Sequence, residues 1–483
     1  MQRPRPLVLI NAVGLTRRIL SLMPKCAARF RVEQVAPLEP VLPAVTMTAQ
    51  ASLLTGRTAG DVVTADGVLP GHGIVANGWL FRDTMEVRFW QQSNQLLQAE
   101  PIYSRLKREY ESAGRNFRVA KLFWWFNQGA NVDLSVTPKP HYGSDGSKAF
   151  DIDVVPRSAR PALDDLGAFP FSAFWGPMSG IQSSAWIGKL SERVIREGTL
   201  ILDSNAPRES FDLTMIYLPH LDYDPQRDGP AGCDLRKCAT ELDEIIAGIL
   251  QAADQTGADV WLVSEYGHVD VSRPVFLNRW LREQKLLVVR DGPFGETQDT
   301  FNSRAFAVVD HQLAHVYVRQ PADVTTLVGG LQTIPGVKEV YAGDDRAKIG
   351  LNHARSGELV LLSEPDAWFA YPYWLDDRRA PDFAGTVDIH RKPGFDPCEM
   401  FFDQNLFWPK GKAAFRLLQK TLGFRTRFDV ISQDVKLVRG SHGLIPDHQD
   451  DFPILATETP LETTPPRRLT DVYRLLLEKF RDR

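Results

Sequence analysis

Three short apolar runs, each leading to a polar residue, constrain the fold of this 483-residue chain more than any other feature. Leu7-Val8-Leu9-Ile10 ends at Asn11, Leu213 to Leu218 leads to Asp222, and Val260-Trp261-Leu262-Val263 leads to Glu265. Runs of this kind, apolar almost throughout rather than at alternate positions, predict strands buried on both faces of a parallel sheet. Between the second and third runs, Leu242, Ile245, Ile246, Ile249 and Leu250 share one helical face, completing a strand–helix–strand unit. Its right-handed crossover gathers the C-terminal strand ends at one edge, where open parallel sheets bind ligands. The chain therefore reads as an α/β fold, a mostly parallel sheet flanked by helices, with Asn11, Asp222 and Glu265 offering oxygen atoms at one place.

A second stretch supplies a hydroxyl. Pro43-Ala44-Val45-Thr46-Met47-Thr48-Ala49-Gln50 runs on to Leu54-Thr55-Gly56, and His72-Gly73-Ile74-Val75-Ala76-Asn77 follows. A Thr ahead of a small-residue apolar segment predicts a residue at the start of a short helix, where unpaired N–H groups and the helix dipole favour an anion. The same pattern also fits Thr46 and Thr48 as ordinary helix caps.

Composition excludes several classes. With 43% hydrophobic and 24% charged residues the chain is not disordered, and its length suits one large domain with an elaboration, or two domains. Lys and Arg total 56 against 60 Asp and Glu, a net charge of -4, so no broad footprint for a nucleic acid polymer or an anionic membrane is expected. Local basic patches remain open. Cys26, Cys233, Cys238 and Cys398 have no Cys-x-x-Cys spacing and are too few for a disulfide framework, which fits a reducing compartment. Met1 to Pro6 leads straight into Leu7–Ile10, far short of a signal-peptide core or a membrane span, so a soluble, cytoplasmic protein is expected.

The remaining segments read as follows. The aromatic runs Phe89-Trp90 and Phe123-Trp124-Trp125-Phe126 are core, and residues 130–175, rich in Pro, Gly, Ser and Asp, are long loops. From about Pro274 to Arg346, helix-like Val275–Gln284 and Val324–Gln332 alternate with strand-like Phe306–Val309 and Val316–Val318, a smaller α+β insertion over the sheet edge. His311 and His315 flank an apolar strand there and read as structural. The main sheet is expected to resume at Glu358–Leu362. Val387–Pro397 is a polar loop carrying His390, Asp388 and Asp396, and Val435–Val438 reads as a strand ending at Gly440-Ser441-His442-Gly443. Thr470–Phe480 is an amphipathic helix packed on the body through Val472, Leu475, Leu476 and Phe480. The chain has no P-loop, Gly-x-Ser-x-Gly elbow or Gly-x-Gly-x-x-Gly fingerprint.

Pro43-x-x-Thr46, then Leu54-Thr55-Gly56 and His72-Gly73-Ile74-Val75-x-Asn77, in this order with the strand-end residues, resemble the type I phosphodiesterase/nucleotide pyrophosphatase family of the alkaline phosphatase superfamily. The resemblance implies an alkaline phosphatase-like core over 1–270 and 350–483, with an inserted α+β cap over 271–349. It implies hydrolysis of phosphodiester or nucleotide pyrophosphate bonds in a small phosphorylated substrate. Thr46 becomes the nucleophile that passes through a phospho-threonine, and Asn77 a donor to a phosphate oxygen. Asn11, Asp222, Gln226, Glu265, Tyr266 and His442 stand at the family's metal-ligand positions. Four of these depart from the pattern: Asn11 replaces an aspartate, Gln226 a histidine, Glu265 an aspartate and Tyr266 a histidine. The chain also has extra residues between Gly56 and His72.

The family site holds two zinc ions, and tetrahedral zinc prefers nitrogen or sulfur to amide oxygen. With Asn11 and Gln226 neutral, a metal pair would be under-neutralised. Three outcomes follow: a single or altered metal recruiting His390, His268, Asp388 or Asp396; a site for manganese or magnesium in place of zinc; or a binding protein that has lost hydrolysis. Phosphonate or sulfate ester hydrolysis is a further alternative on the same scaffold.

Overall fold

The computed structural model describes residues 4–64, 67–144, 148–205, 207–422, 427–458 and 465–481. The opening Met1–Arg3 of the sequence reading lies outside them. At the centre is an eight-stranded sheet whose strands run in the order Ala36–Pro37, Ile454–Thr457, Asp259–Val263, Leu7–Ala12, Leu213–Leu218, Val119–Leu122, Leu134–Tyr142, Lys148–Val155. The five from Asp259–Val263 to Leu134–Tyr142 are parallel, and antiparallel strands finish both sides.

The central strand explains why. All six residues of Leu7–Ala12 are buried, so both faces must be covered. Leu7 pairs with Leu213 on one side and Asp259 on the other, and this register sets Asn11 beside Tyr217 and Val263 at the C-terminal edge. The helices Ile181–Glu197 and Leu235–Thr256 pack against one another. The longer one starts at Asp234, whose side chain accepts from the Lys237 N–H, and stops at Gly257 with φ 69°. It buries Leu242, Ile246, Ile249 and Leu250 as its spacing predicts. The two helices approach so closely that a Cβ on Gly188 would meet Ile245 at 2.6 Å.

Three expectations need correction. Residues 130–175 are not mainly loop: Leu134–Tyr142 and Lys148–Val155 form the hairpin that ends the sheet. Pro138 and Pro140 disguised a strand near the sheet edge, where missing N–H donors cost least. Leu359–Ser363 does not resume the main sheet but joins a second, antiparallel one, ordered Ala305–Asp310, Leu313–Val318, Leu359–Ser363, Val337–Ala342. A short run buried on both faces carries no label of the sheet it belongs to. Val435–Leu437 is a single 3-10 turn capped by Asp434, and only Gly440–Ser441 pairs as strand, with Val269–Asp270.

The extra residues after Gly56 include an exposed two-stranded hairpin, Val62–Thr64 with Gly67–Leu69. Helices occupy Leu277–Glu283, Val324–Gln332 and Asp471–Phe480, the last burying Val472, Leu475, Leu476 and Phe480. Among the described residues no helix is long and apolar enough to cross a membrane. The four cysteines are free thiols.

The Val387–Pro397 loop is tied down by a buried ion triad. Lys392 Nζ lies 2.7 Å from both Asp396 Oδ2 and Glu399 Oε1, and Trp175 Nε1 donates to Glu399 Oε2 at 2.7 Å. Removing the cation strands two carboxylates in a dry interior. Lys392→Ala is therefore expected to cost about 3–5 kcal/mol, read from denaturant unfolding; a loss under about 1 kcal/mol would mean water reaches the triad.

Candidate active site and metal centre

Thr46 is the first residue of the Thr46–Thr55 helix and follows Val45, whose side chain makes no capping bond. Thr46 is thus not the cap, and Thr48 Oγ1 donates instead to the Ile74 carbonyl. The Thr46 hydroxyl sits 2.9 Å from Tyr266 OH, which donates in turn to Asp222 Oδ1 at 3.2 Å. With that proton committed, Thr46 is the donor of the first bond. The helix start is fixed by Asn77, whose Oδ1 accepts the Met47 N–H at 2.9 Å. Asn77 is held by Asp310, whose Oδ2 accepts its backbone N–H at 2.7 Å and whose Oδ1 accepts its Nδ2 at 3.2 Å. His72 links the same parts, its Nδ1 accepting from the Ile74 N–H while Nε2 meets Ser52 Oγ at 3.0 Å.

On the other side of Asp222 stand two imidazoles. His268 Nε2 is 2.9 Å from Asp222 Oδ1 and His442 Nε2 is 4.0 Å from the same atom. Ligand atoms of Asp222, His268 and His442 lie within 4.8 Å of one another, a group that could hold a metal ion. The His442 tautomer is settled by its partner: a carbonyl only accepts, so Nδ1–H donates to Ala44 O at 2.7 Å and Nε2 carries a lone pair. That nitrogen is buried without a hydrogen-bond partner and faces a carboxylate oxygen, two electron-rich atoms with no proton between them. Burial also pushes the His442 pKa well below its usual value, keeping the imidazole neutral. Burial alone would raise the Asp222 pKa, but hydrogen bonding to His268 and the neighbouring imidazoles outweigh it and lower it. Gly14, at φ +74°, makes room for this group, since a Cβ there would meet the His268 ring at 2.9 Å.

The place where a second ion would be expected is built differently. Glu265 Oε1 accepts from Asn11 Nδ2 at 2.5 Å and from Gln50 Nε2 at 2.7 Å. Burial lifts its pKa to about 8, more than those amides lower it. Glu265 Oε2 and Asn11 Oδ1 are buried without a hydrogen-bond partner, so this side offers oxygen atoms, but with Asn11 and Gln226 neutral it brings less charge to a second ion than the Asp222 side does to a first. Tyr266 is pushed well above the ordinary phenol range by burial and nearby carboxylates, and acts as a hydrogen-bond donor. Gln226, at the family's histidine position, is buried and hydrogen-bonds Asp222.

The other expected recruits lie outside this group. His390 Nδ1 meets the Phe89 carbonyl at 3.3 Å, Asp388 lies 3.8 Å from Lys148, and Asp396 is bound to Lys392. Of the four recruits considered, His268 is the one that lies with Asp222 and His442 in a group that could hold an ion. His315 is structural, its Nε2 meeting Val75 O at 3.1 Å. His311 is structural too, but at the site: it tops the Ala305–Asp310/Leu313–Val318 hairpin at φ +59°, with ring centroids 3.7 Å from His442 and 3.8 Å from Phe395. No motif marked it or Asp310. The only available sign was a polar pair closing an apolar strand. A cleft of about 200 Å³ reaches His442, lined also by Gly267, Gln312, Lys338 and Leu444. Thr46 lies deeper, at 4% exposure.

Asp310 makes the site's framework pH-sensitive. Burial raises its pKa to about 7 against the lowering effect of Asn77. The folded chain therefore holds a proton that the unfolded chain, with a pKa near 4, has released, so this contribution is full below about pH 4 and lost as pH rises through about 7. Stability of the wild type is expected to fall over that window by up to about 4 kcal/mol more than that of Asp310→Asn. Parallel pH slopes in urea titrations of the two proteins would refute it.

A threonine hydroxyl at a helix start beside a carboxylate–imidazole group, at the C-terminal edge of a mostly parallel sheet, fits an alkaline phosphatase-like α/β hydrolase. The chain belongs to the type I phosphodiesterase / nucleotide pyrophosphatase family, whose model matches residues 7–396. Among solved structures it is similar to murine ectonucleotide pyrophosphatase / phosphodiesterase 5, at 13% identity over 99% of this chain and 94% of that one, with a TM-score of 0.55. Another structure of that murine protein is an inactive variant in complex with AMP, at 12% identity over 99% and 95% of the two chains and a TM-score of 0.56. Phosphonoacetate hydrolase from Sinorhizobium meliloti 1021, in complex with phosphonoacetate, matches at 14% identity over 99% and 96% of the two chains with a TM-score of 0.57. No curated protein matches this chain in sequence. The family and these neighbours are hydrolytic enzymes of the phosphodiesterase, pyrophosphatase or phosphonate type.

Proposed function

We propose that this chain hydrolyses phosphodiester or nucleotide pyrophosphate bonds of a small phosphorylated substrate, with Thr46 as nucleophile and one divalent ion, zinc first, held by Asp222, His268 and His442. The observation that carries the reading is the single Tyr266 hydroxyl joining Thr46 Oγ1 to Asp222, with an orphaned His442 Nε2 beside it. Two imidazoles and one carboxylate with an open position suit a catalytic zinc better than manganese or magnesium. A bound ion would supply positive charge to the phosphoryl oxygens and the leaving oxygen.

The chain's own residues account for the rest. The Thr46 oxygen forms a bond to phosphorus as the bond from phosphorus to the leaving oxygen breaks, and its proton passes to Tyr266 as Tyr266 hands its own to Asp222. The start of the helix offers its dipole to the transferring group. Asn77 has one Nδ2 hydrogen engaged by Asp310 and keeps the other for a phosphate oxygen. Water then cleaves the phospho-threonine. The deciding experiment is turnover of bis(p-nitrophenyl) phosphate by metal-loaded wild type and Thr46→Ala.

A further inference from the structure

One surface of the molecule plays no part in this chemistry. From Phe407 to Arg427 the sequence carries six Lys and Arg and no Asp or Glu, in a chain whose net charge is -4. Within it Pro409–Thr421 is helical, and Ala413, 2% exposed, is buried in a cluster with Val430 and Ile431. Trp408, Phe415, Leu418 and Leu422 recur at helical spacing, in a stripe on the side of the helix away from Ala413. They are 71%, 57%, 55% and 66% exposed, and Phe407 just before them is fully exposed.

A helix resting on a soluble body normally turns such a stripe inward. This one turns it to solvent. Lys412 and Arg416 run beside the stripe and share their charge with Asp429, at 3.0 and 3.2 Å, while Lys410 and Arg427 are exposed. Rings and leucines outward with a basic border are the chemistry of a helix lying in the headgroup layer of an anionic bilayer, apolar face in the acyl boundary and cations among the phosphates. A second copy of this chain fits less well. Twofold pairing of this face would set one basic segment against another.

We propose that the exposed face formed by Trp408, Phe415, Leu418 and Leu422, with Lys410 and Arg427 beside it, docks the protein on an anionic lipid surface. The inference is independent of the hydrolase reading. The test is flotation of the full chain with phosphatidylcholine vesicles, with and without phosphatidylglycerol. Wild type is expected to float with the anionic vesicles and not with the neutral ones. A Phe415→Ser/Leu418→Ser variant is expected to bind at least roughly ten-fold more weakly, since two apolar side chains leave the bilayer. Lys410→Glu/Arg427→Glu should lose a similar factor through charge. All four side chains are solvent-facing, so the thermal midpoints should match wild type. Absence from both vesicle types, or equal binding to both, would overturn the proposal. So would a wild-type dimer in light scattering that Phe415→Ser/Leu418→Ser turns into a monomer, which would assign the face to a second copy.

Discussion

Thr46→Ala is expected to lower turnover of bis(p-nitrophenyl) phosphate by at least about 1,000-fold, because the covalent step loses its attacking atom. The substitution is a clean probe. The helix start relies on Asn77 rather than on the Thr46 side chain, so folding should be spared. Tyr266 keeps its bond to Asp222, so metal content should be spared too. Thr46→Ser, which restores a hydroxyl, should recover most of the rate. Trapping adds a direct check: a quenched reaction of wild type should carry a p-nitrophenyl phosphoryl group on Thr46, and the alanine variant should carry none. If the alanine variant kept turnover within about ten-fold of wild type, activation of water by other groups would have to replace the covalent route.

Loss of His268 should empty the metal site. Elemental analysis of wild type purified without chelator is expected to give about one divalent ion per chain, and His268→Ala to weaken binding by more than about 100-fold, since a direct ligand matters more than an outer-shell one. Glu265→Gln is the matched control. It keeps an acceptor for Asn11 and Gln50, and should leave the count at one. The three proteins separate the readings: two ions in wild type would restore the family's paired arrangement, and none would favour a ligand-binding protein over an enzyme. A His268→Ala protein that retained its ion while Glu265→Gln lost it would move the centre to the other side of Tyr266.

The parts that were legible in the sequence share one property, which is that their signal is local. Leu7–Ala12, Leu213–Leu218 and Asp259–Val263 were visible because strands buried on both faces must be apolar almost throughout. The helix Val324–Gln332 matched its expected bounds through spacing alone. The edge hairpin failed because prolines signal loop wherever they stand, and only the sheet reveals an edge. Leu359–Ser363 failed because its pattern is the same in either sheet. His268 was visible only as one of four recruits. The choice among them depended on Gly14 leaving space beside Asp222, a contact across more than 250 residues of chain.

The sequence by itself determined the α/β class, the family, and the strand ends that converge, because backbone periodicity and short motifs are written in neighbouring residues. Tertiary structure alone decided that Glu265 Oε1 is bound by Asn11 and Gln50, that His442 presents a bare nitrogen to Asp222, and that Trp408, Phe415, Leu418 and Leu422 point to solvent. Each of those depends on which distant groups meet and how much water is excluded when they do. Desolvation and orientation are properties of the packed chain, not of any segment of it.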